Sequence, residues 1–133
     1  MEHFNARELN REITQGLCDI AVTDVSFISQ TYLIPPIASV LQDGGVFLSL
    51  IKPQFEAGRQ ALGKNGIVSS AAYRYLAVKR VIHCAVENGF DCLGLIPSPI
   101  TGGDGNREYL AYFIKSPCVK PRVDDKIMKR VTL

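Results

Sequence analysis

The sequence predicts an α/β domain in which parallel strands are followed by a final antiparallel strand. Two nearly continuous apolar runs, residues 18–23 and 45–51, suit parallel strands that are covered on both faces. A clear amphipathic helix follows at 70–88, and two further strand-like runs, 91–96 and 108–114, are joined by a short polar loop that favours an antiparallel hairpin. With 133 residues, of which 47% are hydrophobic, the chain is expected to bury one core.

The first part of the chain predicts a strand, helix, strand unit. Residues 18–23 form a short β-prone run that ends at Asp24, and residues 28–42 are apolar at helical spacing before the second strand. Pro35 and Pro36 should kink that helix or restart it.

The helix at 70–88 has the most complete signals. Ser69 or Ser70 can cap its N-terminus, and Gly89 supplies the stop. Its apolar face is predicted to comprise Tyr75, Val78, Val81, Ile82, Ala85 and Val86. Residues 117–133 are predicted to be a poorly ordered tail outside the domain at 1–116, with one helical turn near 125–129.

Composition narrows the function. Fifteen basic against thirteen acidic residues give a net charge of +2, so any RNA contact must be local. The four cysteines form no CxxC pair and the two histidines are not at zinc-ligand spacing, which predicts reduced thiols and no metal site. The N-terminus lacks the apolar core of a signal peptide and no run is long enough to span a bilayer, so we expect a cytoplasmic protein without a membrane role.

Three charged residues are predicted to meet at one edge of the sheet. Asp24 and Lys52 each follow the carboxyl end of a parallel strand, where reactive groups collect in α/β folds. If the last strand is antiparallel, Glu108 begins it at that same edge. The carboxylates can polarise a lysine that orients or deprotonates a hydroxyl, but a structural ion-pair network fits the positions equally well.

Four sequence blocks carry a family resemblance. They are Thr-Asp-Val-Ser-Phe-Ile-Ser (23–29), Ile-Lys-Pro-Gln-Phe-Glu-Ala-Gly-Arg (51–59), Gly-Lys-Asn-Gly-Ile-Val (63–68) and Ser-Pro-Ile-Thr-Gly-Gly-Asp-Gly-Asn-Arg-Glu-Tyr-Leu (98–110). In this order they resemble the TlyA/hemolysin A family of ribosomal RNA 2′-O-methyltransferases, which is similar to the FtsJ-type enzymes. The resemblance spans roughly residues 5–115 and implies the C-terminal half of a Rossmann-like class I methyltransferase sheet.

The resemblance implies roles for residues at the edge. Asp24, Lys52 and Glu108 take three positions of a Lys-Asp-Lys-Glu tetrad that methylates a ribose 2′-hydroxyl of ribosomal RNA with S-adenosylmethionine. Asn5 and Arg7, with Asp24, would lie near the cofactor, although a frayed terminus is the reading of residues 5–7 that we favour.

The substrate contacts implied by the family lie in the second and fourth blocks. Phe55 could stack on a base or be a buried loop anchor. Charged residues there could meet phosphates or simply be solvated. The candidate substrate residues are Pro53, Gln54, Phe55, Arg59, Asn106 and Arg107, with Lys64 as a further possible phosphate contact.

The resemblance also implies that the chain holds part of a domain. The family's glycine-rich cofactor loop, the first lysine of the tetrad and an S4-type RNA-binding domain all precede the matched region. We therefore expect an incomplete S-adenosylmethionine site and no activity from the isolated chain. We also expect an exposed edge at 18–23 that is covered either by residues 1–16 or, as we favour, by a second copy of the chain. The alternatives are a non-catalytic RNA-binding or scaffolding domain and, from the hemolysin name alone, membrane lysis, which nothing in the sequence supports.

Overall fold

A computed structural model describes residues 16–63, 66–99, 105–116 and 122–133. Strands and helices alternate as far as β3, which is followed by a further strand and a last helix, and three short 3-10 turns lie among them, at Gln30–Tyr32, Pro53–Phe55 and Arg59–Ala61. The main elements are β1 (Cys18–Thr23), α1 (Ile34–Val40), β2 (Leu41–Ile51), α2 (Ala71–Glu87), β3 (Phe90–Pro97), β4 (Tyr109–Lys115) and α3 (Asp125–Val131).

The four strands form one mixed sheet in the order β1-β2-β4-β3. β1 and β2 are parallel, whereas β4 is antiparallel to both of its neighbours. The predicted class, parallel strands followed by an antiparallel strand, is confirmed. Because β4 lies between β2 and β3, its first residue, Tyr109, pairs with Ile51 at the last position of β2.

The helix α2 forms as its sequence predicts. The Ser70 hydroxyl accepts a hydrogen bond from the Tyr73 N–H at 3.4 Å, and Gly89 follows the helix with a φ of +87°. The prediction that Val86 belongs to the buried face is wrong, since its side chain is 47% exposed. The buried residues of α2 run from Arg74 and Ala77 to Ala85, and Val86 lies beside them.

The first helix is shorter than predicted. It covers Ile34–Val40, with the prolines in its first turn, where a missing N–H costs nothing and the fixed φ suits a helix. The preceding residues form the turn Gln30–Tyr32, which Ser29 caps. Strand β2 begins directly after α1 at Leu41, so the predicted helix over 28–42 and the strand start at 45 were both wrong at their ends.

The segment after residue 121 is a helix packed on the domain. Asp124 caps α3 by accepting a hydrogen bond from Ile127 N–H at 2.9 Å, and Met128 is buried in the main core. Arg74 donates to the main-chain oxygen of Thr132 at 3.2 Å. The predicted helical turn is confirmed. The prediction of poor order is wrong for residues 122–133, because buried apolar side chains hold them against the core. The domain boundary after residue 116 stays a prediction.

The helices pack on one face of the sheet. That face carries an aromatic cluster in which the Phe47 ring centroid lies 5.3 Å from Phe90 and 5.4 Å from Phe113. The opposite face is more open, since Ile20 and Val22 of β1 are 63% and 67% exposed. Within the described residues, the helices and the sheet therefore form two layers, and the other face of the sheet is partly exposed to solvent.

Truncating the aromatic cluster should destabilise the domain strongly. We expect Phe113→Ala to lower the free energy of unfolding by about 3–5 kcal/mol, because the side chain is fully buried and its neighbours cannot close the cavity. Urea unfolding of the purified chain measures this. Leu76→Ala, at a position that is 53% exposed, is the control and should change stability by less than about 1 kcal/mol; equal losses would contradict the placement of the core.

Candidate active site

The sheet topology brings three charged residues to one edge. Asp24 follows β1, Lys52 follows β2 and Glu108 precedes β4. β1 and β2 run in the same direction and end together, while the antiparallel β4 starts where β2 ends. The three residues that the sequence predicted at one edge are therefore found there.

Lys52 is held by oxygen atoms from the loop after β1. Its Nζ lies 2.6 Å from Asp24 Oδ1 and donates to the Ser26 hydroxyl at 3.2 Å. The Lys52 side chain is 14% exposed, whereas that of Asp24 is 64% exposed. The amine thus has a fixed direction at the boundary between the protein and solvent, and the predicted contact between Asp24 and Lys52 is present.

Glu108 occupies the same edge with a different partner. It is only 8% exposed, and its Oε2 accepts a hydrogen bond from Gln54 Nε2 at 3.2 Å. Among the described residues, Asp24 is the one carboxylate within 4.0 Å of the Lys52 amine. Gln54 therefore connects the turn after Lys52 to Glu108, and Gln54 Oε1 is a buried acceptor that has no partner in the described part of the chain.

An aromatic pair lies beside the charged residues. Phe27 has a φ of +67° and is 91% exposed, and its ring centroid is 5.1 Å from that of the half-buried Phe55. A left-handed backbone is costly for a bulky residue and is often found at functional sites. Phe27 was not among the predicted site residues, and the signal for it was a large aromatic residue in a short loop soon after a strand end.

Behind the exposed edge, a buried carboxylate joins two loops. Glu56 is 3% exposed; its Oε2 accepts from the Ser29 hydroxyl at 2.5 Å and its Oε1 from the Gln30 N–H at 2.6 Å. Arg80 of α2 donates to the Glu56 main-chain oxygen at 3.2 Å. Burial raises the pKa of the Glu56 carboxyl, against the opposing effects of the Ser29 and Gln30 hydrogen bonds and the Arg80 charge.

Two of the predicted substrate residues make contacts within the protein. Asn106 is 1% exposed; its Oδ1 accepts from the Val68 N–H at 2.8 Å and its Nδ2 donates to the Gly66 oxygen at 3.1 Å. Both ends of the amide are thus bound to the 66–68 backbone, and a contact with RNA would require their release. Arg107 is exposed and donates to the Leu133 main-chain oxygen at 2.8 Å.

The remaining predicted site residues are only partly described by the structure. Pro53 is buried and Gln54 is half-buried in the turn after Lys52. Asn5, Arg7 and Lys64 lie outside the described residues, as does the side chain of Arg59. Their predicted contacts with cofactor or RNA stay predictions.

The thiols and potential metal ligands are not gathered into a reactive site in the described residues. Burial raises the pKa of the Cys92 thiol to about 12, so it stays protonated at neutral pH. No group of three or more His, Cys, Asp or Glu side chains in the described ranges could hold a metal ion. In the same ranges, no helix has the length and apolarity to cross a membrane.

The fold defines the class of protein. The sheet superimposes on that of M1.HpyAVI in its SAM complex with a TM-score of 0.52 at 14% identity, over 92% of this chain and 59% of the other, a likeness of fold alone. It is a Rossmann-like methyltransferase fold. The FtsJ-like methyltransferase family profile matches residues 1–115, and the chain belongs to that family.

Several relatives are similar over most of the chain. YqxC of Bacillus subtilis (strain 168) is 42% identical over 113 residues, which are 84% of this chain and 40% of YqxC. The 16S/23S rRNA (cytidine-2′-O)-methyltransferase TlyA of Mycobacterium tuberculosis is 35% identical over 112 residues, 84% of this chain and 42% of TlyA. A solved structure named as a hemolysin from Streptococcus thermophilus has a TM-score of 0.91 at 41% identity, covering 99% of this chain and 48% of that one. The chain thus spans less than half the length of these relatives.

The raised pKa of Glu56 predicts a pH dependence of stability. The folded protein binds this proton more tightly than the unfolded chain, whose carboxyl titrates near 4.5, so the free energy of unfolding should fall as the pH rises from there through the raised pKa. Glu56→Gln should lack this fall. Arg80 and the Cys84 thiol, both on α2, are the other charged or titratable groups that interact with it.

Urea unfolding from about pH 4 to about pH 8 compares wild type, Glu56→Gln and the control Glu87→Gln, which changes an exposed carboxyl of α2. The control should follow the wild-type curve. Parallel curves for wild type and Glu56→Gln would show that burial does not disfavour the Glu56 charge.

Proposed function

We propose that this chain is the hydroxyl-activating part of an S-adenosylmethionine-dependent ribosomal RNA (cytidine) 2′-O-methyltransferase. The observation that carries the proposal is the 2.6 Å contact between Lys52 Nζ and Asp24 Oδ1 at the carboxyl edge of the sheet, with Glu108 on the same edge. Membership of the FtsJ-like family and the similarity to TlyA, an rRNA (cytidine-2′-O)-methyltransferase by name, support methyl transfer as the reaction.

The charged residues suit the activation of a ribose hydroxyl. Asp24 and the Ser26 hydroxyl fix the direction of the Lys52 amine, so that the amine can accept a hydrogen bond from, or stabilise the charge on, an oxygen that is losing its proton. General acid–base catalysis of this kind contributes about 10²–10⁴-fold. The intact pair also favours an enzyme over a scaffolding domain, in which no constraint would keep the two groups together.

The aromatic pair suits an unstacked base. RNA-modifying proteins bind splayed-out bases by stacking them on aromatic side chains, and Phe27 offers an exposed ring directly after Ser26, whose hydroxyl accepts from the Lys52 amine. In this proposal Phe27 and Phe55 hold the target base, and Pro53 and Gln54 shape the pocket. Gln54 Oε1, which has no described partner, is an acceptor for a ribose hydroxyl or a base amine.

The cofactor would bind next to Asp24. Its carboxylate is exposed at the end of a groove of about 340 Å³ that runs along β1 and α1, and can accept hydrogen bonds from a ligand. S-adenosylmethionine supplies the electrophilic methyl group. Asn5 and Arg7 are the further cofactor residues proposed from the resemblance. Since the match covers less than half of each relative, we propose that the cofactor site is incomplete in these 133 residues and that they do not turn over alone.

The substrate would be ribosomal RNA or a ribosomal subunit in the cytoplasm, as the TlyA name suggests. Arg59 and Arg107 are proposed phosphate contacts. With a net charge of +2, the chain relies on such local contacts rather than on a general attraction for RNA.

Lys52 provides the direct test. In the full protein, we expect Lys52→Ala to lower methyl transfer to ribosomal RNA by at least about 100-fold, because the hydroxyl loses the amine that activates it. The thermal midpoint should change little, since the exposed Asp24 carboxylate remains solvated. Tritiated methyl incorporation measures the rate, with Lys129→Ala, an exposed lysine of α3, as the control. Retained activity would remove Lys52 from the mechanism.

Among the described residues β1 pairs with β2 on one side only, which predicts self-association of the 133-residue chain through the other edge. Residues 18–23 contain no proline or lysine to prevent pairing with another strand, so we propose a dimer in which two β1 edges pair around a two-fold axis. Light scattering should give twice the monomer mass for wild type and for the control Leu76→Lys on α2. Val22→Lys places two like charges near the axis and should give a monomer; a monomeric wild type would contradict the proposal.

A further inference from the structure

Two loops that are far apart in sequence carry the groups of the candidate active site. The loop after β1, residues 24–30, holds Asp24 and Phe27 and is called the Asp loop. The loop after β2, residues 52–58, holds Lys52 and Phe55 and is called the Lys loop. Both pairs of side chains meet across the boundary between the loops. Their geometry therefore depends on what fixes one loop against the other.

Two short hydrogen bonds between the loops end on one carboxylate. Both oxygens of Glu56, in the Lys loop, accept from donors of the Asp loop: the Ser29 hydroxyl at 2.5 Å and the Gln30 N–H at 2.6 Å. A carboxylate has two acceptor atoms and no donor, so it matches two converging donors. The group is 3% exposed, and water does not compete for these bonds.

The rest of the network fixes the two loops to the rigid part of the fold. Arg80 of α2 donates to the main-chain oxygen of Glu56 at 3.2 Å. The Gln30 side chain, 1% exposed, accepts from the Thr23 hydroxyl at 2.8 Å and donates to the Leu50 oxygen at 3.3 Å. The Asp loop is thus bound to the ends of β1 and β2, and Glu56 links it to the Lys loop and α2.

We propose that Glu56 is a positioning residue that locks the Asp loop to the Lys loop, and thereby sets both the Asp24–Lys52 contact and the Phe27–Phe55 contact. Glu56 is buried behind the exposed edge and acts through its neighbours. The effect of the lock on catalysis rests on the proposed function, whereas the lock itself concerns only the positions of the two loops. A displacement of about 1 Å in a reacting group can cost about 100-fold in rate.

The strained backbone of Phe27 needs its loop to be held in place. A bulky residue at a φ of +67° would relax to an ordinary conformation if its loop were free. Phe27 is 91% exposed, so its own packing contributes little to holding it. The fixed points nearest in sequence are the Lys52–Ser26 hydrogen bond on one side and the Glu56 bonds to Ser29 and Gln30 on the other.

Nuclear magnetic resonance on the purified protein tests the geometry without any assay of activity. The readouts are the ring-to-ring Overhauser effects between Phe27 and Phe55 and the order parameter of the Lys52 side chain. In Glu56→Ala we expect the ring contacts to vanish and Lys52 to become mobile, at a temperature where the variant is fully folded. Glu87→Ala, which removes an exposed carboxyl from α2, is the matched control and should leave both readouts unchanged.

Two milder variants keep the test decisive if Glu56→Ala does not fold. Glu56→Gln can accept from the Gln30 N–H and donate to the Ser29 hydroxyl, so it should retain most of both readouts. Ser29→Ala removes one bond of the lock from the other loop, together with the cap of the Gln30–Tyr32 turn, and should weaken the ring contacts. A lower thermal midpoint with unchanged ring contacts and Lys52 order would reduce Glu56 to a stabilising residue and overturn the proposal.

Kinetics in the full protein then separates this inference from the proposed function. Glu56→Ala should lower kcat by about 10- to 100-fold with a change in KM below about threefold, and Glu56→Gln should restore most of kcat. If Lys52→Ala remains active, the proposed function fails while the resonance data still decide the lock. If Lys52→Ala is inactive but Glu56→Ala has normal kcat, the lock is overturned and the function stands.

Discussion

The insertion of β4 between β2 and β3 is the constraint on which the candidate site depends. β4 is antiparallel to β2, and the pairing of Tyr109 with Ile51 brings Glu108 to the edge where β2 delivers Lys52. A parallel strand in this place would begin at the opposite edge. The same insertion puts Phe113 of β4 against Phe47 and Phe90, so the core and the active-site edge are set by a single register. A slip of one residue would turn Phe113 out of the core and Tyr109 with it.

The site itself contains local costs that the sheet and α2 must offset. Burial of the Glu56 carboxyl opposes its charge, and the left-handed backbone of Phe27 costs about 1–3 kcal/mol. Glu56 lies four residues after Lys52, and Phe27 directly follows Ser26, whose hydroxyl accepts from the Lys52 amine. Unfavourable terms that occur together beside an aligned lysine are typical of a functional site rather than of a surface ion pair.

The sequence predicted the parts of the site that follow from strand order. Asp24, Lys52 and Glu108 could be placed at one edge because a strand end needs only an apolar run and its direction. The sequence could not predict the positions of Phe27, Gln30 and Glu56. These positions depend on loop dihedral angles and on partners about 26 residues away, for which hydrophobic periodicity gives no signal. Asn106 stays a predicted substrate residue; its family block gave no sign that its buried amide binds the 66–68 backbone.

The order of residues 122–133 was predicted wrongly from local propensity, because tertiary packing decided it. The prediction for Pro35 and Pro36 also came from local propensity and is confirmed, since a helix restarts at Ile34 with both prolines in its first turn. Met128 and Val123 join the core, and Arg74 donates to the end of α3, so scattered charge did not keep the segment from ordering. The charges of α3 lie on its outer side, where Asp125 is near Lys79 and Lys129.

The unequal exposure of Asp24 and Lys52 has a consequence for ligand binding. With 64% of the Asp24 side chain in water, the attraction between the two groups is screened, and the pair is weaker than its 2.6 Å separation suggests. In the proposed function, a ligand that covers Asp24 would remove this water and strengthen the hold on the amine when a substrate hydroxyl arrives. The Lys52 side chain, which is only 14% exposed, would need little rearrangement for that step. Under the two proposals, the ligand would thus complete the electrostatic part of the site, while the Glu56 hydrogen bonds would hold its geometric part beforehand.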